Sequence, residues 1–369
     1  MHRIGNRYAV TAQTPTNEYR PLLQELLFAY GPCGQEDAVR NVCRRELTPL
    51  VDEAWTDPAG NLIGLIRGDS RDTGAPAVRV MAHMDELSML VKRIDADGII
   101  HLTPLGTMYP GNFGLGPVAI LGRHTTVCGV VALGSEHTTQ ESPRIWQTKP
   151  DQGDKALDWP DVYVFTGLDG DALRQAGIEP GTRVCVDRTR RTLLDVGNDY
   201  VGCYFLDDRA AVTALLCAAR ELHAGPPPAS DVYLVFTTDE EVGGIGGGYA
   251  SRTLPGELTL ALEVGPTEPE YGTRVSGGPI VAYSDALCVY DKDVADRLMD
   301  VADGLGLAPQ AAVLGAFESD ASHSKAGGHT PRAGLLCLPT LSTHGYEVIA
   351  ATAIPAMANV LTEFLRTTG

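Results

Sequence analysis

Three short apolar segments constrain the fold of this chain more strongly than any other feature of its sequence: AVRVMA at 77–82, VYLVFTT at 232–238 and LTLALE at 258–263. Segments of this length that are almost wholly apolar are typical of strands buried in a sheet with both faces covered. Segments with helical periodicity lie between and around them, at 21–30, 35–50, 208–223, 292–304 and 348–366. This alternation predicts an α/β fold in which helices flank a mixed sheet.

The region from 87 to 197 differs from the rest of the chain. Short strand-like runs alternate there with glycine, proline and aspartate turns, and only 170–176 has a helical pattern. Evenly spaced short strands are typical of a small β-barrel or sandwich. We therefore predict that residues 1–86 and 198–369 form the two parts of one α/β domain, and that 87–197 form a β-rich insertion between them.

Charge and composition exclude several classes of protein. The 369 residues include 47 acidic and 29 basic side chains, a formal net charge of −18. A nucleic-acid or anionic-membrane binder needs a basic surface, so we expect neither partner. The first 20 residues contain no apolar leader segment, and no apolar run approaches the ~20 residues that span a bilayer. Eight scattered cysteines without a CxxC pair favour a reduced, cytoplasmic protein.

Two pairs of polar residues are candidates for metal ligands. His83 and Asp85 lie two positions apart at the end of the first apolar segment, so both side chains point to one face of the strand. Imidazole is a common zinc ligand that a carboxylate can orient, although a buried histidine with satisfied hydrogen bonds is the plainer interpretation. Asp207 and Asp208 open a predicted helix, where aspartate either caps the helix or binds a cation. Neither pair decides between these roles alone.

Further acids and a second histidine follow other predicted strands. Glu240 and Glu241 come shortly after the second apolar segment, and Glu263 closes the third. His344 follows another apolar run at 335–338. The carboxyl ends of parallel strands meet at one edge of a sheet, where open α/β folds bind their ligands. A mixed histidine and carboxylate set suits zinc, cobalt or manganese, and a shared carboxylate allows two ions to bind.

Four segments, in this order, resemble those of the TET-type aminopeptidases, the glutamyl and deblocking aminopeptidase family of dinuclear metallopeptidases: AHMDE at 82–86, LDDR at 206–209, EEVG at 240–243 and TH at 343–344. The resemblance implies a zinc-aminopeptidase-like mixed sheet, interrupted by a small barrel that serves in dimerisation. It also implies a cis peptide bond between Asp207 and Asp208. Homo-oligomers built from dimers, up to a dodecamer, are a further expectation from it.

The same resemblance implies a role for each candidate residue. The metal ligands that it implies are His83, Asp207, Glu241, Glu263 and His344. Asp207 would bridge two divalent ions, zinc, cobalt or manganese, while Glu240 acts as general base and Asp85 orients His83. Glu263 stands where these enzymes usually have aspartate, so a single ion per subunit is the alternative to two.

The segment FESDASHSK at 317–325 contains His323 and Lys325, which either bind a carboxylate of the substrate or balance surface acids. The leading hypothesis is a metal-dependent aminopeptidase that releases N-terminal residues from short peptides through a metal-activated water. One alternative is a metallohydrolase of the same fold that cleaves a small non-peptide amide or arylamine C–N bond. The other alternative is a non-catalytic assembly protein on this scaffold.

Overall fold

The computed structural model describes residues 18–69, 76–151, 153 and 155–367. Within these ranges the helices are α1 (Arg20–Phe28), α2 (Asp37–Leu47), α3 (Pro110–Phe113), α4 (Pro143–Thr148), α5 (Gly170–Gln175), α6 (Leu206–Ala224), α7 (Ile245–Thr253), α8 (Lys292–Gly304), α9 (Asp320–Ala326) and α10 (Ala353–Thr367). The strands are β1 (Glu53–Thr56), β2 (Leu62–Ile66), β3 (Val78–His83), β4 (Ser88–Ile94), β5 (Ile100–Leu105), β6 (Gly116–Leu121), β7 (Thr126–Ala132), β8 (Tyr163–Phe165), β9 (Arg183–Val186), β10 (Leu194–Val196), β11 (Tyr200–Tyr204), β12 (Val232–Thr237), β13 (Leu258–Pro266), β14 (Ile280–Ser284), β15 (Gln310–Val313), β16 (Arg332–Leu341) and β17 (Tyr346–Ala350). The stretch before residue 18, for which we expect no leader segment, lies outside the described residues.

A mixed sheet of 11 strands forms the centre of the α/β part of the chain. Its order is β1-β2-β12-β3-β13-β16-β17-β11-β10, and β14 and β15 extend from β16. Strands β12, β3, β13 and β16 are parallel neighbours, so their carboxyl ends meet at one edge. Because β17 is antiparallel to both β16 and β11, the carboxyl end of β11 lies at that edge as well. The turns that follow these strands are thereby brought together.

Helices cover both faces of the sheet. Val80 and Ala82 of β3 belong to the main core with α6, whereas Met81 packs with Ala250 of α7. Successive side chains of a strand point to opposite faces, so α6 and α7 lie on opposite sides. Helices α1 and α10 pack beside α6, and α9 packs beside α7. The predicted α/β class, a mixed sheet flanked by helices, is confirmed.

A closed barrel lies between β3 and β10 in the chain. Its strand order is β4-β5-β8-β7-β6-β9, which confirms the predicted small barrel. Its interior is filled by apolar side chains that include Val91, Ile100, Ile120, Val164 and Val184. The expectation that only 170–176 is helical in this region is wrong, because α3 and α4 also form here. Each of these short helices has a proline in its first turn, where a backbone N–H would have no acceptor within the helix, so that its absence costs nothing.

The terminal helix expected near 348–366 begins at Ala353, later than predicted. The preceding residues form β17, in which Val348 and Ile349 pair with Gly202 and Val201 of β11. An apolar run of this kind fits a helix or a strand, and the partner strands decide between them. Among the described residues, no helix is both long and apolar enough to cross a bilayer.

Candidate metal centre

His83 lies at the carboxyl end of β3, with 1% of its side chain exposed. Its Nε2 lies 3.0 Å from Oδ1 of Asp207 and 3.8 Å from Oε2 of Glu263, while its Nδ1 lies 3.2 Å from the backbone oxygen of Asp85. Donation of the Nδ1 proton to that carbonyl leaves Nε2 free to bind a cation. Burial opposes protonation of the ring, but the carboxylates of Glu263, Asp207 and Asp85 outweigh it and raise the pKa of His83 well above its ordinary value. The same negative surroundings would attract a metal ion.

Asp207 approaches His83 from the non-helical first turn of α6, which follows β11. Phe205 before this turn has a φ of 63°, and the peptide bond between Asp207 and Asp208 is cis, as the sequence resemblance implies. Oδ2 of Asp208 accepts a hydrogen bond from the backbone N of His83 at 3.1 Å. The contact ties this turn to β3, although the two segments lie on either side of the barrel in the chain.

Asp85 connects the segment after β3 with the segment after β12. Its Oδ1 accepts a hydrogen bond from the backbone N of Glu240, and its Oδ2 accepts one from the backbone N of Glu241, each at 3.0 Å. Burial opposes the ionisation of Asp85, but its contacts with His83 and with these N–H groups lower its pKa below the ordinary value. Asp85 therefore remains a carboxylate that holds both glutamates beside His83.

His344 lies in the turn between β16 and β17 and faces the same cluster. Its Nε2 lies 3.5 Å from Oδ2 of Asp207 and 3.9 Å from Oε2 of Glu241. Its Nδ1 lies 2.8 Å from the backbone oxygen of Thr107, which follows β5 of the barrel. The inserted barrel therefore orients a candidate ligand of the α/β part.

Two groups of side chains could each hold a cation, and they share Asp207. The first group consists of His83, Asp207, Asp208 and Glu263, and the second group consists of Asp207, Glu241 and His344. Within each group, the ligand atoms all lie within 4.8 Å of one another. Asp208, for which the sequence left open a role as helix cap or ligand, is the member that is absent from the ligand set implied by the family resemblance. Its only signal was its place beside Asp207 at the start of a helix.

Two buried acids of these groups each have one carboxylate oxygen without the partner that a buried charge requires. Oδ1 of Asp208 and Oε1 of Glu241 are buried without a hydrogen-bond partner. Burial, together with repulsion from neighbouring acids, raises the pKa of Glu241, Glu263 and Asp208 well above the ordinary values. A divalent cation among these oxygens would relieve both effects. The mixed imidazole and carboxylate donors fit zinc, cobalt or manganese.

A cavity of about 530 Å³ opens above the two groups. Besides the candidate ligands, its wall contains Glu240, Tyr109, Asn112, Glu268, Glu270 and Glu318. No lysine or arginine lies among the described residues that line it. The cavity therefore offers many acidic side chains to any substrate that enters it.

The two residues of the 317–325 segment lie in different environments. His323 lines the cavity, with its Nε2 3.0 Å from Oε2 of Glu318. The Nζ of Lys325 lies 2.7 Å from Oδ2 of Asp291 and donates to the backbone oxygen of Val289. The structure does not bring Lys325 to the cavity, because its charge is paired with Asp291. Among the described residues, Lys325 thus pairs with an acid and does not line the cavity.

Sequence comparison identifies similar proteins. A family model described as M42 glutamyl aminopeptidase matches residues 60–360. Lysyl aminopeptidase from Pyrococcus furiosus is 28% identical over 245 residues, which are 66% of this chain and 65% of that protein. The chain thus aligns with just under two thirds of this relative's length.

Solved structures share the fold over nearly the whole chain. Aminopeptidase APDkam598 from the archaeon Desulfurococcus kamchatkensis has a TM-score of 0.84 at 23% identity, and the match covers 95% of each chain. The TET1 peptidase of Pyrococcus horikoshii, which can assemble into a tetrahedron or a large octahedral shell, has a TM-score of 0.81 at 21% identity. That match covers 95% of this chain and 100% of the peptidase. At this level of identity the likeness concerns the fold alone.

Proposed function

We propose that this chain, which belongs to the M42 glutamyl aminopeptidase family, is a metal-dependent aminopeptidase that removes N-terminal residues from short peptides. One observation carries the proposal: two ligand groups share Asp207 directly beside Glu240, at the base of an open acidic cavity. The buried oxygens of Asp208 and Glu241 that have no hydrogen-bond partner support a resident cation. Family membership supports peptide hydrolysis as its chemistry.

The ligands proposed from the sequence are His83, Asp207, Glu241, Glu263 and His344, with Asp207 shared between two divalent ions. Zinc, cobalt or manganese bound there lowers the pKa of a coordinated water and polarises the carbonyl of a substrate. Asp208 offers an additional oxygen to the first group, so an ion there does not depend on Glu263 alone. Occupancy of one position only is the alternative.

Glu240 is proposed as the general base and acid. It is 9% exposed and lines the cavity next to both ligand groups. Burial and neighbouring acids raise its pKa well above the ordinary value. A raised pKa suits a carboxyl that both takes and returns a proton. It would take a proton from the attacking water and deliver it to the leaving amine. Asp85 is proposed to orient His83, whose Nδ1 lies 3.2 Å from the Asp85 backbone oxygen, and its carboxylate also accepts the backbone N–H of Glu240.

The charge of the cavity supports a substrate with a free amine. A peptide N-terminus carries a positive charge near neutral pH, and the wall presents carboxylates with no lysine or arginine among its described residues. An acetylated N-terminus would lose this attraction. The cavity would therefore select the end of a peptide and not its interior.

We also propose a homo-oligomer built from dimers, with a dodecamer as the largest form, that acts in the cytoplasm. Val130 and Phe165, which pair across β7 and β8 of the barrel, are 44% and 56% exposed. Adjacent exposed apolar side chains favour an interface between copies. All eight cysteines are unpaired, which supports a reducing compartment.

Hydrolysis of matched substrates tests this function. Chelator-stripped protein, reloaded with zinc, cobalt or manganese, is offered short peptides with free or acetylated N-termini. We expect release of the first residue from the free peptides only, and only after metal is restored. No cleavage of any peptide by protein that holds metal would contradict the proposal and direct the search to small non-peptide amides and arylamines.

A further inference from the structure

Glu347 is a buried acid that joins the turns carrying Asp207 and His344. Its Oε2 accepts a hydrogen bond from the backbone N of Asp207 at 2.9 Å, and its Oε1 accepts one from the backbone N of His344 at 3.1 Å. Only 1% of Glu347 is exposed. Both of its oxygens therefore serve backbone groups, and it belongs to neither ligand group.

The place of Glu347 in the sheet explains how one side chain reaches both turns. It lies on β17, between β16 and β11. Strand β16 leads into the turn of His344, and β11 leads into the turn of Asp207. Glu347 pairs with Cys203 of β11, near the end of that strand. A carboxylate at this position has one oxygen available for each flanking turn.

Both turns need such a contact at the ligand residue. His344 has a φ of 59° and Ser342 a φ of 61°, a left-handed conformation that residues other than glycine adopt only where their surroundings hold them. Asp207 has non-helical dihedral angles at the start of α6, where the N–H groups have no partner within the helix. Glu347 supplies an acceptor for each of these N–H groups.

We infer that Glu347 is a positioning residue for the ion of the second group, given the metal-dependent function proposed above. His344 belongs to that group alone, and 35% of its side chain is exposed. The loss of Glu347 would release the backbone of His344 together with that of Asp207. The first group keeps His83, which is buried and held by Asp85, so its ion should be affected much less.

Glu347→Gln tests the inference with little change in side-chain shape. Glutamine keeps one acceptor oxygen but places an NH₂ donor against the second backbone N–H, so one of the two turns loses its partner. The loss of a residue that orients a ligand typically costs about 10- to 100-fold in metal affinity. We expect a loss of this size for one of two bound cobalt ions, with the affinity for the other nearly unchanged.

Cobalt(II) is a suitable probe because its visible absorption reports the coordination of each ion. Chelator-stripped protein is titrated with cobalt, and the bound metal is counted after equilibrium dialysis. His344→Ala supplies the reference spectrum for damage to the second group. Asp285→Asn is the matched control, because the buried Asp285 also accepts two backbone N–H groups, from Leu287 and Cys288, outside the ligand groups. The control should bind both ions as the native protein does.

Two results would overturn the inference: native affinity for both ions in Glu347→Gln, or an equal loss of both ions accompanied by a general loss of stability. If the glutamine variant does not fold, Glu347→Asp replaces it, since aspartate keeps the charge but withdraws it by one methylene group. A native protein that binds two cobalt ions and cleaves no peptide would contradict the proposed function, while the comparison of variants would still decide the role of Glu347.

Discussion

His83 and Asp207 lie 3.0 Å apart, from imidazole Nε2 to carboxylate Oδ1, although 124 residues separate them in the chain. The whole barrel lies between them in sequence. Because β3 and β11 both end at the same edge of the sheet, the residues that follow these two strands come close together in space. The candidate metal centre is therefore complete only when both parts of the α/β domain have assembled.

Divalent ions should stabilise chelator-stripped protein. Glu241, Glu263 and Asp208 are buried together with raised pKa values, and a cation would relieve their repulsion. An ion at 100 times its dissociation constant adds about 2.7 kcal/mol to the free energy of unfolding. Thermal unfolding with and without zinc, cobalt or manganese measures this gain. Glu241→Gln should reduce it, and an unchanged melting temperature with all three metals would argue against a metal centre.

Glu36 should make stability depend on pH. It is 2% exposed, and burial together with the charge of Asp85 raises its pKa from 4.5 to about 7. A raised pKa means that the folded chain holds the proton more tightly, so this contribution to stability is complete below pH 4.5 and is lost as the pH rises through 7. Above pH 7, Glu36→Gln should therefore have a free energy of unfolding up to about 3 kcal/mol larger than that of the native protein, and a higher melting temperature. Near pH 4.5 the two proteins should be similarly stable.

The matched control for this comparison is Asp37→Asn. Asp37 is an exposed acid that pairs with Arg40, which also lies 3.6 Å from Glu36. Its replacement should give no gain in melting temperature that grows with pH. A gain of equal size in both variants would show that the general acidity of this surface, and not the burial of Glu36, sets the dependence.

The acidic wall of the cavity should favour substrates with a basic first residue. Glu268, Glu270 and Glu318 line the cavity, and each exposed opposite-charge contact contributes up to about 1 kcal/mol. We expect a lysyl anilide to be cleaved with a kcat/KM about 10-fold above that of a glutamyl anilide. Replacement of all three glutamates by glutamine should bring the ratio of the two kcat/KM values towards one. Added salt should reduce the same ratio in the native protein. A neutral leucyl anilide is the control, and a preference for the glutamyl substrate would contradict this prediction.

The barrel surface should carry the dimer contact. Phe165→Lys places a charge among the exposed apolar side chains of β7 and β8, which should split the assembly into smaller species in sedimentation velocity experiments. Leu305→Lys, at a comparably exposed apolar residue after α8, is the control and should leave the assembly intact. An unchanged sedimentation coefficient for Phe165→Lys would place the contact elsewhere.

Local sequence patterns were sufficient for the fold class and for most candidate ligands. The apolar run before His83 and the one that ends in Glu263 each identify a buried strand, although β13 continues past Glu263 to Pro266. Because parallel strands end at the same edge of the sheet, the convergence of these residues follows from topology alone. The buried central strands and the turn-rich insertion can likewise be recognised from short stretches of sequence.

Features that depend on distant partners could not be predicted in the same way. Val348 and Ile349 fit a helix until β11 is known to pair with them. Lys325 is two residues from His323, which lines the cavity, but its Nζ is paired with Asp291. The role of Glu347 depends on two turns that approach it from neighbouring strands, and no short motif encodes such a contact.

The most direct test of this account concerns the proton transfer proposed for Glu240. The measurement is kcat for a lysyl anilide with native protein and with Glu240→Gln, each shown by metal analysis to hold the same number of ions. Glutamine cannot take a proton from water, so we expect kcat to fall by about 10²- to 10⁴-fold with metal content unchanged. Equal rates in the two proteins would contradict the assignment, and no activity in either would remove the aminopeptidase function itself.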